Sequence, residues 1–456
     1  MSPLNLLLLC DYQTEIAATV RDHIRALETH SRHRYHRLSM LGDIPPGLDL
    51  ARFDGAVIHY TLFACHDYYL SPAARARLAA FRGLKAIYIQ DEYRVVDASI
   101  AAMREIGINL LFTCVPEPET DKVYGGDRLP GVAKVNVLTG YVPEGLAERE
   151  VLPAAKRPID IGYRGRNVPA WLGELGQEKQ RIGIRMAQDA PHSGLRADIS
   201  FREEDRLYGN AWIKFVARCK AMLGVESGSS VFDFTGEIQR NVERHLRHAP
   251  ETGYEELRQL YFADAEGRID LAQISPRCFE SAALRTLMIL YEGKYSGVLE
   301  PWRHYVPLKK DHSNMAEIVA VLRDPDRLTA ITECAYREIA LDPRYSFATA
   351  VKAADAAMEV ALRPAMLSSV PPYGEAEFAR IAAPDFKIRR RRAHRRLMQF
   401  LFRLIFSTLL RRASPAQRAR VEWRLRRIYG GLGLRARVKW RLRQIYGALG
   451  LRATPR

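Results

Sequence analysis

Short apolar runs alternate with amphipathic helical stretches along this chain, and the alternation constrains the fold more than any other feature. Each apolar run has the length of one strand, and its continuous hydrophobicity is typical of a strand buried on both faces. Strand and helix patterns that alternate in this way predict a parallel sheet with helices on both faces. In the first 150 residues the predicted strands are 5–9, 55–60, 85–90, 109–113 and 133–138, and the predicted helices are 14–28, 72–81 and 96–106.

A second alternating series follows a Pro/Gly turn at 141–145 and a charged segment at 148–156. Its predicted strands are 159–163, 221–225 and 287–291, and its predicted helices are 178–187, 278–284, 315–323, 327–339 and 347–362. The expected fold class is therefore α/β, with two tandem Rossmann-like domains and a basic, amphipathic helical tail. The expected boundaries are 1–150 and 157–362 for the domains, 363–386 for a linker and 387–456 for the tail, with an irregular insertion at 232–274. Ligands of such sheets bind at the carboxyl ends of the strands, so a cleft between the domains is the expected active site.

The positive charge of the chain is concentrated in the tail. Residues 387–456 contain 22 Lys plus Arg and one acidic residue, whereas residues 1–386 contain 47 basic and 52 acidic residues. The net charge of +16 therefore describes the tail and not the mildly acidic body. A nucleic-acid interaction, which a basic chain first suggests, would involve the tail alone.

The tail combines a basic block at 387–396, a mostly apolar run at 397–410 and a 17-residue repeat at 421–437 and 438–454. Arginines beside Trp, Ile and Leu are typical of a helix that lies in a membrane interface, and the apolar run is shorter than the roughly 20 residues that span a bilayer. We expect the tail to bind an anionic membrane surface. Binding of nucleic acid by arginine and aromatic stacking, or docking on a protein, are the alternatives. Nucleic acid is the less favoured partner because the apolar run would remain exposed.

Several classes of protein and site are disfavoured by absent motifs. The sequence has no GxGxxG, P-loop, HExxH or GxSxG motif, which argues against the usual dehydrogenases, P-loop NTPases and serine hydrolases. Its six cysteines are scattered without a CxxC pair, which is typical of reduced thiols in a cytoplasmic protein. The histidines at 30, 33 and 36 lack partner ligands and are interpreted as a solvated linker, so no metal site and no cofactor are predicted.

The segment 274–300, ISPRCFESAALRTLMILYEGKYSGVLE, carries the strongest functional signal. A loop with Arg277 leads into a helix with Glu280 in its first turns. A carboxylate there can accept two ribose hydroxyls, and a cation at a helix N-terminus can bind a phosphate. The alternative is that Glu280 caps its own helix and pairs with Arg277 on the surface.

This segment, together with 295–314, resembles the donor-site region of the group 1 glycosyltransferases of GT-B fold, especially the subgroup similar to spore-maturation glycosyltransferases. The resemblance extends over 157–362, is strongest at 274–314 and is only architectural in the first domain. It implies a hexosyltransferase-like enzyme that works without a metal and with retention of anomeric configuration. A nucleotide-sugar is then its substrate and not a cofactor.

The resemblance also implies a set of donor-site residues. Glu280 matches the second glutamate of the family's E-x7-E pattern, which holds the nucleotide ribose. The first glutamate falls at Ala272, so Glu226 is the candidate replacement for the donor-sugar contact. Arg166 is placed at the diphosphate and Lys179 resembles the lysine that follows, where two cations would stabilise the leaving group. The alternatives are a surface loop cation for Arg166 and a solvated helix face for Lys179.

His59 and Asp91 follow predicted strands of the first domain and are the candidate catalytic residues on the acceptor side. A histidine suits a general base because its ordinary pKa lies near neutral pH, although many histidines beside strands are structural. The sequence thus predicts a glycosyltransferase that moves a sugar from a nucleotide-sugar donor to a glycan, lipid or protein acceptor, on the cytoplasmic face of the membrane. The alternatives are a membrane-tethered, non-catalytic nucleotide-sugar-binding module and a nucleic-acid-binding protein.

Overall fold

The computed structural model of the chain describes residues 2–12 and 17–384, with a few further residues between 388 and 397. The predicted tail, apart from those few residues, lies outside the described part, including its repeat. The described strands are β1 (Asn5–Cys10), β2 (Arg34–Ser39), β3 (Gly55–Ile58), β4 (Leu84–Tyr88), β5 (Leu110–Thr113), β6 (Ala133–Asn136), β7 (Ile159–Arg164), β8 (Ala197–Ser200), β9 (Cys219–Gly224), β10 (Leu287–Tyr291) and β11 (Val306–Leu308).

Helices separate most of these strands and cover the faces of the sheets. Between residues 17 and 384 they are α1 (Ala18–His30), α2 (Pro72–Ala80), α3 (Val96–Ile106), α4 (Glu117–Tyr124), α5 (Gly173–His192), α6 (Gly209–Val216), α7 (Glu237–His248), α8 (Tyr254–Tyr261), α9 (Pro276–Ala283), α10 (Met315–Arg323), α11 (Pro325–Ala335), α12 (Phe347–Ala361) and α13 (Glu375–Ala382). None of the described helices combines the length and the apolar character that crossing a bilayer requires.

Two parallel sheets organise the described chain. The first has the strand order β2-β1-β3-β4-β5-β6 and the second has the order β11-β10-β9-β7-β8. All residues of β3, β4, β5 and β10 are buried, because helices pack on both faces of each sheet. The predicted α/β class with two Rossmann-like domains is confirmed.

Each sheet has a point at which its strand order reverses. It lies between β1 and β3 in the first sheet and between β7 and β9 in the second. Connections from the central strands leave in opposite directions at such a point, which opens a crevice at the carboxyl ends of the strands. The fold therefore predicts one ligand crevice per sheet, independently of any motif.

The histidine-rich run is not the solvated linker that the sequence suggested. Residues 34–39 form β2, which pairs in parallel with β1, and the side chains of His33 and His36 are buried. The strand escaped recognition because it lies at the sheet edge, where only His36 and Leu38 are buried and two of the other four positions are arginines.

The end of the second predicted domain packs on the first sheet. Val351 and Met358 of α12 lie in the same apolar cluster as β1 and β4. Asp355 of this helix accepts hydrogen bonds from the Ser31 hydroxyl at 2.8 Å and from the Arg32 N–H at 2.9 Å. The chain thus passes between the sheets twice, and the two passages pair where the Val142 N–H donates to the Tyr345 carbonyl at 2.9 Å.

The segment interpreted as a linker also packs against the first domain. The Arg52 guanidinium donates to the carbonyls of Pro371 and Pro372 and to the Glu377 carboxylate at 2.8–3.0 Å. The Tyr373 hydroxyl accepts the Asp49 N–H at 2.7 Å. Residues 371–377 are therefore anchored to the protein body and do not span a gap.

A buried arginine joins several elements of the second sheet at the amino ends of its strands. The Arg157 side chain is 1% exposed and donates to the carbonyls of Leu152, Cys219 and Leu284 and to the Thr286 hydroxyl, at 2.5–3.0 Å. No carboxylate of the described residues pairs with it. Burial lowers the pKa of Arg157 to about 10, so the side chain remains charged at neutral pH.

Candidate functional site

A cavity of about 380 Å³ opens at the reversal point of the second sheet. Its walls are the loops that follow β7 and β9, the helix α6 and the start of α9. Residues 17–19, at the start of α1 and hence at the reversal point of the first sheet, close it from the other side. Its volume lies in the range of small-molecule sites, about 300–1,000 Å³.

Three cations predicted from the sequence line this one cavity: Arg166, Lys179 and Arg277. Arg166 extends from the loop after β7, and Lys179 lies on α5 with its Nζ 3.3 Å from the Gly228 carbonyl. Burial, with further contributions from Arg166 and Arg277, lowers the pKa of Lys179 to about 8. Cations placed so close together repel one another, and an anionic ligand would relieve that repulsion.

Glu280 faces the same cavity from α9 and is only 5% exposed. Its Oε2 accepts the indole N–H of Trp212 at 2.7 Å. Burial raises the pKa of Glu280, whereas the Trp212 hydrogen bond and the charge of Arg277 lower it. Because Glu280 is buried and its partner is a tryptophan, the alternative of a surface helix cap is excluded.

Arg277 lies against two aromatic rings. Its guanidinium carbon is 5.1 Å from the ring centroid of Trp212 and 5.9 Å from that of Tyr163. Cation–π contacts of this kind hold the planar guanidinium in place. The structure therefore brings Arg277 to the cavity wall and not to a surface pair with Glu280.

Glu226 is buried outside the lining of the cavity. Its Oε1 accepts the backbone N–H groups of Lys294 at 3.1 Å and Tyr295 at 2.6 Å. A side chain at Gly293 would place its Cβ 2.5 Å from Glu226 Oε2, so the turn packs directly on the carboxylate. This geometry gives Glu226 a structural role in the turn after β10, in place of the predicted contact with the donor sugar.

The two catalytic candidates of the first domain occupy different environments. His59 is fully buried, with Nε2 3.0 Å from His23 Nδ1 and with Nδ1 accepting the Thr61 N–H at 3.2 Å. Burial lowers the pKa of both histidines, that of His23 to about 4, so both rings are neutral at physiological pH. Neither histidine is among the residues that line the cavity. Asp91 is exposed, accepts the Tyr93 hydroxyl at 2.9 Å and raises the pKa of Lys179 by its charge. Asp91 also lies outside the cavity lining, but its charge acts on Lys179, which lines the cavity.

Trp212 is one of the cavity residues that the sequence did not indicate. It lies on α6, whose eight residues directly precede β9 and carry only two turns of helical periodicity. The one available signal was a lone tryptophan in a short apolar segment, GNAWIKFV, and such a residue is usually part of a core.

One group of side chains among the described residues has its metal-ligand atoms within 4.8 Å of one another: His304, Cys334 and Glu338. His304 Nδ1 accepts the Glu300 N–H at 3.0 Å, so the proton of the neutral ring lies on Nε2, which is 2.9 Å from Glu338. Arg303 donates two further hydrogen bonds to Glu338. Neither the ring tautomer nor the paired carboxylate fits a metal ligand, and the group is a hydrogen-bond cluster.

No family model matches the chain, and no curated protein matches it. The solved structures similar to it include an alpha-glucosyltransferase in complex with UDP-glucose and DNA containing an abasic site, with 8% identity, a TM-score of 0.44 and coverage of 74% of this chain and 95% of that one. HepE of Anabaena in complex with UDP has 10% identity, a TM-score of 0.42 and coverage of 78% and 100%. TarM has 10% identity and a TM-score of 0.37, and the alignment covers 67% of this chain and 54% of TarM. Likeness at this level transfers no activity, so the function has to follow from the cavity residues.

Proposed function

We propose that the protein is a glycosyltransferase that takes its sugar from a nucleoside diphosphate sugar. The convergence of Arg166, Lys179 and Arg277 on a cavity that also contains the buried carboxylate of Glu280 carries this proposal. A diphosphate supplies the anionic oxygens that three cations need, and a ribose supplies hydroxyl donors for a carboxylate. A nucleoside diphosphate presents both groups side by side.

The same residues suit the chemistry of transfer. The bond between the anomeric carbon and the diphosphate oxygen breaks, the nucleoside diphosphate departs with the bonding electrons, and the acceptor hydroxyl forms the new bond and releases its proton. Arg166, Lys179 and Arg277 stabilise the charge that develops on the leaving group. The charge of Asp91 acts on Lys179, and we propose Asp91, in place of the buried His59, as the residue that accepts the proton of the acceptor hydroxyl.

Substitution of Lys179 tests the diphosphate site. We expect Lys179→Met to weaken UDP, GDP or ADP binding about 10-fold or more, because a hydrogen bond to a charged group contributes about 1.5–3 kcal/mol. Wild-type affinity should fall as the pH rises through about 8, since Lys179 loses its proton there. Calorimetric titration at several pH values between about 7 and 9.5 measures both effects.

Lys179→Arg is the matched control, because arginine stays protonated throughout this pH range. It should retain most of the affinity and abolish the loss of binding above pH 8. A wild-type protein that binds no nucleoside diphosphate would contradict the proposed function. A protein that binds but hydrolyses none of the common nucleotide-sugars, with or without acceptor, would instead be the non-catalytic binding module.

We further propose that the basic tail directs this activity to an anionic membrane surface on the cytoplasmic side, where glycan or lipid-linked acceptors reside. The sequence of residues 387–456 supports this step through its combination of arginines with Trp, Leu and Phe. In a flotation assay, the full chain should float with anionic vesicles and not with neutral ones, and a chain truncated after Phe386 should not float. Equal flotation of both chains would contradict the proposal, and tail-dependent, steeply salt-sensitive binding to DNA would favour the nucleic-acid alternative.

A further inference from the structure

Trp212 makes two contacts that together organise the cavity wall. We infer that Trp212 is a positioning residue: its indole N–H fixes one oxygen of Glu280 so that the other accepts a substrate hydroxyl, and its ring face holds the Arg277 guanidinium. The inference rests on the proposed function, because it assigns the hydroxyl to the ribose of a bound nucleoside diphosphate.

The hydrogen bond between α6 and α9 leaves Glu280 with one available oxygen. Oε2 accepts the Trp212 N–H at 2.7 Å, and no group of the described residues donates to Oε1. Oε1 is not one of the buried, unsatisfied polar atoms of the described chain, and Glu280 lines the cavity. Because Glu280 lines the cavity, a hydroxyl donor bound there can complete the hydrogen bonding of the carboxylate.

The indole is held in this orientation by its own packing. The Trp212 ring lies against the apolar cluster that contains Phe215 and Phe279, with 6.0 Å between the ring centroids of Trp212 and Phe215. Because packing already fixes the indole, little conformational entropy is lost when its N–H forms the hydrogen bond. The Glu280 carboxylate is therefore oriented before any ligand binds.

The same N–H keeps the carboxylate in the form that accepts hydrogen bonds. Burial favours the protonated acid of Glu280, and so does the negative charge of Asp22 on α1, whereas Trp212 and Arg277 favour the carboxylate. Cys278, the neighbouring ionisable group on α9, is itself held neutral by burial. Loss of the indole N–H therefore raises the pKa of Glu280 further.

Arg277 depends on a different part of the same side chain. Its guanidinium lies over the rings of Trp212 and Tyr163, and it cannot accept a hydrogen bond from the indole N–H because both groups are donors. Trp212→Phe therefore removes the hydrogen bond and keeps a ring face, while Trp212→Leu removes both. The pair of variants separates the two roles of the residue.

The test measures the binding of two probes by calorimetry. The first probe is whichever of UDP, GDP and ADP binds most tightly, and the second is inorganic pyrophosphate, which has no ribose. Both probes are titrated into wild type, Trp212→Phe and Trp212→Leu. For Trp212→Phe we expect roughly 10-fold weaker nucleotide binding with pyrophosphate affinity unchanged, because one hydrogen bond to a charged group is affected. The pH below which nucleotide binding declines should also move upward. For Trp212→Leu we expect weaker binding of both probes. Thermal unfolding of each variant shows that it is folded.

A Trp212→Phe protein with wild-type nucleotide affinity and an unchanged pH profile would overturn the inference and leave the proposed function standing. Equal loss of nucleotide and pyrophosphate binding in Trp212→Phe would also overturn it, because a general disturbance of the cavity would then explain the effect. A wild-type protein that binds no nucleoside diphosphate would overturn both the inference and the proposed function.

Discussion

Glu280→Ala should weaken nucleoside diphosphate binding up to about 100-fold and abolish the protection that the nucleotide gives against thermal unfolding. A hydrogen bond between a hydroxyl and a buried carboxylate contributes about 1.5–3 kcal/mol, which corresponds to roughly 10- to 100-fold in affinity. The apoprotein should stay folded, because the substitution removes a carboxyl group whose burial is itself unfavourable. Calorimetric titration and thermal unfolding with and without nucleotide measure the two effects.

Glu226→Ala is the matched control for this experiment. Both glutamates are buried in the second domain, but Glu226 binds the N–H groups of Lys294 and Tyr295 and lies outside the cavity lining. We expect this variant to lower the free energy of unfolding by about 1–3 kcal/mol, since two backbone donors lose their partner, with little change in nucleotide affinity. Equal losses of affinity in the two variants would contradict the assignment of Glu280 to the ligand.

Arg157→Met is expected to lower the free energy of unfolding by about 3–5 kcal/mol, the largest effect on stability that we predict. Methionine fills much of the same space but leaves three carbonyls and the Thr286 hydroxyl without the guanidinium. A buried acceptor without a donor costs about 1–3 kcal/mol, and some of these acceptors will recover a partner by relaxation or by a water molecule. Urea-induced unfolding followed by circular dichroism provides the measurement.

Two further substitutions show whether the guanidinium network, and not the charge, is responsible. Arg157→Lys keeps a cation but cannot reach all four acceptors, so its stability should lie between those of wild type and Arg157→Met. Arg196→Met removes an exposed arginine that is 3.5 Å from Asp160, and a loss below about 1 kcal/mol is expected. If Arg157→Met unfolded at the same urea concentration as wild type, the network would contribute nothing to stability.

The interior strands could be predicted from the sequence, and so could the edge strand β6, expected at 133–138, but the other three edge strands could not. β1, β3 and β5 are nearly continuous apolar runs, and β4 is interrupted only by Lys85, because helices cover both faces of these strands; such runs stand out in the sequence. The edge strands β2, β8 and β11 are half-exposed or only three to four residues long, so they leave no comparable pattern. The α/β fold class depends on the interior strands, and for this reason it could be predicted from the sequence.

Those cavity residues that lie close together in the sequence, or directly after a recognisable strand, could be predicted from the sequence. Arg277 and Glu280 lie three residues apart at the start of α9, and Arg166 follows a recognisable strand. Trp212 and Glu280 are 68 residues apart in the sequence, and no local sequence pattern predicts a hydrogen bond between residues so far apart. For Glu226 the sequence offered no way to separate a ligand contact from a role in a turn, because the contacts with the N–H groups of Lys294 and Tyr295 span 68 and 69 residues of sequence.

The segment 231–271 packs with the first sheet, although in sequence it follows β9 of the second. Phe232 and Leu271 lie in the same apolar cluster as residues of β1 and β3. The Asp233 N–H donates to the Tyr93 carbonyl at 2.8 Å. The two sheets are therefore joined by shared apolar packing as well as by the paired passages between them, and a motion of one sheet relative to the other would have to disrupt part of that packing.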